Sequence, residues 1–91
     1  MQFDWDTEKA KRNITKHGVS FEEAKSVFDD PLFLVFFDHG HSFQEGRLII
    51  MGESAQGNLL IVSYTERHHK VRLISARKTT NKERKFYESE F

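Results

Sequence analysis

The sequence predicts an α+β fold in a single domain, 1–91, with an N-terminal helix pair, a four-stranded antiparallel sheet and a C-terminal helix. Three observations predict it. Helical periodicity with capping signals is confined to the two ends of the chain. Between them run four segments rich in β-branched and aromatic residues. The last three of these segments are joined by connections short enough for hairpins, which makes them an antiparallel meander with helices packed on one face.

Each element follows from its residues. Phe3-Asp4-Trp5 is short and extended in character. A polar helix is expected from about Thr7 to Lys16, with Ala10, Ile14 and Asn13 toward one side, stopped by Gly18. Ser20 stands three residues before Glu23, and Phe21, Ala24, Val27 and Phe28 recur at helical spacing, so a second helix runs from Phe21 to Phe28 and ends before Pro31. Strands are expected at 32–38, 47–54, 59–66 and 70–77. Residues 55–58 and 67–69 suit tight turns, and the longer 38–46 segment is a loop. Thr80 precedes Glu83 by three, a second capping box, and the closing helix turns Phe86 and Tyr87 inward.

Composition narrows the function. With no cysteine, neither a disulfide framework nor a thiolate zinc site is possible, which suits a reducing cytoplasm. No apolar stretch follows the N-terminal charges and none reaches membrane-spanning length, so the expected location is cytoplasmic with no membrane partner. The formal net charge is zero, but it is unevenly spread. From Arg67 to Lys85 eight Lys or Arg face the single acid Glu83, whereas from Phe28 to Gly57 five acids face only Arg47. A local basic pole of this kind attracts phosphates without any net charge.

The strands are apolar on both faces: Phe33, Val35 and Phe37 alternate with Leu32, Leu34 and Phe36. A sheet with one wet face would alternate polar with apolar, so either the chain's own helices or a partner protein covers the second face.

The segments FDWDTEKAKRNITKHGVSFEEAKSVFDDP, EGRLIIMG and VRLISARKTTNKERKFYE, in that order, resemble the BrnT toxin family. The most specific parts are W-D-x-x-K-x-x-x-N-x-x-K-H-G-V-S-F and R-L-I-S-A-R. The resemblance implies a RelE-like fold and a bacterial ribonuclease that inhibits translation. It also implies a toxin–antitoxin hetero-oligomer with a DNA-binding BrnA-like antitoxin, through which the toxin reaches operator DNA only indirectly.

RNA cleavage without a metal needs a base for the 2′-hydroxyl, an acid for the departing 5′-oxygen and cations around the phosphate. Arg47, Arg67, Arg72 and Arg77 lie in or beside expected strands, and a guanidinium fork matches two phosphate oxygens. Strict alternation puts Arg72 and Arg77 on opposite faces unless a bulge intervenes, and the motif favours Arg77 as catalytic. Arg47, His17, Glu45 and Tyr87 complete the catalytic candidates, and Lys16, Arg67, Lys70 and Arg72 are the candidates for RNA binding. His17 and Lys16 end the first helix, where a cation also serves the helix dipole. Neither His39-Gly40-His41 nor His68-His69 has a carboxylate or cysteine at a recognisable ligand spacing, so no metal or other cofactor is expected. The competing readings are a non-catalytic module that binds a DNA-binding partner, and direct DNA binding by the closing helix, which Glu83, Glu88 and Glu90 disfavour.

Overall fold

The computed structural model describes residues 1–41 and 46–91. Among them the elements are β1 (Gln2–Trp5), α1 (Thr7–His17), α2 (Phe21–Ser26), β2 (Leu34–Phe37), β3 (Leu48–Glu53), β4 (Leu59–Arg67), β5 (Lys70–Lys78) and α3 (Asn81–Ser89). Single 3-10 turns follow α2 at Val27–Asp29 and β2 at His39–His41.

The sheet differs from the four antiparallel strands expected. Strands β2 to β5 do form an antiparallel run, but β1 adds a fifth strand parallel to β5, giving the mixed order β1-β5-β4-β3-β2. Its register, Phe3 with Val71 and Trp5 with Leu73, sets both β1 aromatics on one face. No local turn announces this strand, because its partner lies at the far end of the chain.

Local chemistry fixes the helix ends. Asp6 caps α1 by accepting a hydrogen bond from the Lys9 N–H at 3.0 Å. Gly18 closes the helix at φ 70°, a left-handed conformation that glycine adopts without strain. Thr80 and Glu83 form the reciprocal capping box of α3. At α2 only half of the expected box exists: Ser20 accepts from the Glu23 N–H, while the Glu23 carboxylate instead accepts from Ser54 and Asn58 at 2.6 and 2.8 Å. That choice ties α2 to the β3–β4 turn.

The two sheet faces carry separate cores. Helices α1 and α2 cover one face, where Val19, Phe21, Ala24 and Val27 pack on Ile50, Leu60, Val62, Tyr64, Val71, Leu73 and Ala76. On the other face Met51, Leu59 and Ile61 form a smaller cluster beneath Tyr87 of α3. The helices therefore do not share one face. The expected inward side of α1 is also corrected: Asn13 is buried and Ile14 is half exposed. Asn13 donates to the carbonyls of Val19 and Ala76 and accepts from the Ala76 N–H, so its amide supplies the partner that β5 lacks beyond the end of β1.

Only part of the second face is covered. No residue of α3 is buried, and Phe86, expected inside, is 46% exposed while its ring meets Phe36 at 5.9 Å. At the open edge of the sheet Val35 and Phe37 are also exposed, on the α1–α2 face, since they pair with Ile50 and Leu48.

Candidate functional site

The β4–β5 ladder holds a bulge that decides where the arginines point. Ser63 pairs with Ser75 and Tyr64 with Leu73, leaving Ile74 as an extra residue in β5. Arg72 then opposes Thr65 and Arg77 opposes Ile61, so both arginines occupy the face opposite α1 and α2. Alternation without the bulge would have separated them.

Around Arg72 the strand ends form a cleft of about 360 Å³, lined by Asp4, Thr65, Arg67, His68, Lys70 and Arg72. The Asp4 carboxylate accepts from Arg72 at 3.2 Å, with both side chains about half exposed. One acid thus orients a guanidinium within a wall of cations. The turn that closes β4 onto β5 is His68-His69, and both residues have positive φ, 51° and 65°. A two-residue hairpin turn needs such angles to follow the twist of its strands. His68 faces the cleft, while His69 lines a separate hollow with Met1, Glu66 and Val71.

Arg77 has a different environment. Its guanidinium donates to both Glu83 oxygens at 2.8 Å, a fork-to-fork pair between β5 and α3. That contact with Arg77 holds the Glu83 carboxyl down at about 2, and the hydrogen bond to Glu83 in turn raises Arg77 above its ordinary value. The partners of Arg72 and Arg77 stand four positions apart on β4, roughly 13 Å along the strand. Arg77 therefore shares the face of the cleft without lining it.

The other candidates are dispersed. Tyr87 donates to Asp30 Oδ2 at 2.8 Å, and burial, reinforced by Asp30, pushes its hydroxyl up to about 12. Burial alone would raise Asp30, but the Glu53 and Leu32 N–H groups and the Tyr87 hydroxyl outweigh it and hold the carboxyl below its usual range. This pair anchors α3. Lys16 and His17 end α1 and do not line the cleft. Arg47 precedes β3, and its carbonyl accepts from the Asp38 N–H at 3.0 Å. Its Nε is buried with no hydrogen-bond partner among the described residues. Glu45 lies outside the described residues. The cleft thus joins Arg67, Lys70 and Arg72 of the candidates and adds Asp4, Thr65 and His68, which sequence reasoning did not place there. The pairing of β1 is the signal that brings in Asp4, and it is not visible locally.

Among the described residues no helix is long and apolar enough to cross a membrane. Comparison with curated proteins finds no match. Among solved structures, the crystal structure of the Brucella abortus ribonuclease toxin BrnT is similar, with a TM-score of 0.70 at 24% identity over 89% of this chain and 99% of that one. The likeness establishes a shared fold. A family model described as the ribonuclease toxin BrnT of type II toxin–antitoxin systems matches residues 5–83, from the end of β1 through β5 to the first turn of α3. The chain therefore belongs to the BrnT family of ribonuclease toxins of type II toxin–antitoxin systems.

Proposed function

We propose that the chain is a metal-independent endoribonuclease that inhibits translation and grips RNA in the Arg67–Lys70–Arg72 cleft. The observation that carries this reading is the convergence of those three cations with Asp4 on one cleft of about 360 Å³ in a ribonuclease family. As the 2′-oxygen attacks, negative charge builds on the phosphate oxygens, and fixed guanidinium groups stabilise it without reorganising. Arg72 is the phosphate clamp in this reading, because Asp4 fixes its orientation while the side chain stays half exposed. Arg77 holds α3 through Glu83 and acts on the cleft indirectly, as a positioning residue.

Neutralisation by a DNA-binding, BrnA-like antitoxin is supported by a second surface. The edge strand β2 exposes Phe36 against the exposed Phe86 of α3 on the face that carries the cleft, and Val35 and Phe37 on the opposite face, an apolar margin around the open edge. An antitoxin that anchors on this margin and extends across β3 and β4 would also screen RNA from the cleft. Expression without a partner tests the reading: growth arrest with loss of RNA is expected, relieved by Arg72→Ala and by co-expression of the antitoxin. Unaffected growth, with the protein folded and abundant, would instead identify a binding module, which the exposed apolar margin also suits.

A further inference from the structure

Two adjacent histidines in left-handed backbone form the β4–β5 turn, at φ 51° and 65°. Asparagine and glycine are the commonest residues at these angles, and histidine adopts them more readily than most other side chains. The two residues also differ in outlook. His68 is on the rim of the cleft beside Arg67, Lys70 and Arg72, whereas His69 lines the hollow with Met1, Glu66 and Val71. A tight turn that holds an imidazole at the rim of a cationic cleft puts a proton-exchanging group where phosphate would bind.

We propose that His68 is a catalytic residue, the group that takes the proton of the RNA 2′-hydroxyl; this rests on the ribonuclease reading of the cleft. Histidine changes charge in roughly the pH 5 to 8 range, so it exchanges protons under cellular conditions. The charged groups that share the cleft with it are Asp4 from β1, Arg67 from β4, and Lys70 and Arg72 from β5. In the step, neutral His68 accepts the 2′ proton while the 2′-oxygen bonds to phosphorus and the bond from phosphorus to the 5′-oxygen breaks. Water protonates the departing 5′-oxygen, and the proton released later by His68 neutralises the hydroxide left behind. The products are a 2′,3′-cyclic phosphate and a 5′-hydroxyl, with no change of oxidation state.

The turn supplies its own control, because the same substitution at either histidine makes the same change in the turn while only His68 lines the cleft. Purified wild type, His68→Asn, His68→Gly and His69→Asn are compared on a fluorophore–quencher RNA, with thermal melting measured in parallel. All three variants are expected to melt at or a few degrees above wild type. His69→Asn keeps the wild-type rate, and both His68 variants fall by about a hundredfold. The decline of kcat/KM toward acid pH is present in wild type and His69→Asn and absent from the residual activity of the His68 variants. If the folded His68 variants cut at the wild-type rate with the same acid decline, His68 takes no part and the ribonuclease reading stands alone. If folded wild type leaves the RNA intact, that reading and the role of His68 fall together.

Discussion

Asn13 closes both backbone hydrogen bonds of Ala76, donating to its carbonyl at 2.8 Å and accepting from its N–H at 3.1 Å across 63 residues of chain. The contact lies directly before Arg77 and substitutes for a continuation of β1. Asn13→Leu should cost about 2–4 kcal/mol, since it leaves buried donors and acceptors unpaired. Urea denaturation measures this. A loss below about 1 kcal/mol would mean that water replaces the amide and that the clamp is dispensable.

The pair between Arg77 and Glu83 makes stability acid-sensitive. Glu83 is held at about 2 against an ordinary 4.5, so its contribution is fully present above 4.5 and disappears as pH falls through 2. The Arg77 side chain is 39% exposed, so screening limits the effect to about 1 kcal/mol. Denaturation curves taken from pH 6 downward should lose this increment in wild type and not in Glu83→Gln. Equal acid slopes in the two proteins would show that the pair is energetically silent.

Arg72→Ala should separate activity from stability. Its partner Asp4 is 47% exposed at the side chain, and an exposed pair contributes only about 0–1 kcal/mol. Removing a cation that faces developing phosphate charge should lower RNA cleavage by about 10²–10³. Arg77→Ala is expected to do the reverse in proportion, with a larger loss of stability. An Arg72→Ala protein that cleaves normally would place the phosphate elsewhere.

At Tyr87 the alkaline side is informative. With the hydroxyl at about 12 against an ordinary 10, stability from this group is fully present below 10 and is lost as pH rises through 12. Tyr87→Phe should therefore cost about 1–2 kcal/mol at neutral pH and remove the most alkaline step of the phenolate absorbance titration. Persistence of that step would assign it to another tyrosine.

Much of this architecture is legible in the residues, and the exceptions have physical causes. Strands β3 to β5 start and end within a residue of their expected limits and α3 starts at its expected cap, because alternation, turn residues and the Thr80–Glu83 box are local signals. Strand β1 is not local: four residues interrupted by Asp4 become a strand only through β5. The same is true of Asn13, whose burial beside an exposed Ile14 reflects the unpaired backbone of Ala76 rather than helical periodicity. The bulge at Ile74 is decisive for the site. Neither sequence spacing nor motif shows it, yet it brings Arg72 and Arg77 to one face. Counting charges found the basic pole, and the fold then divided it between the cleft and the anchor of α3.

Pairing of Phe3 with Val71 leaves the cleft without its Asp4 wall until the ribosome has made β5. Fragments from interrupted synthesis that stop before β5 therefore carry no assembled cleft.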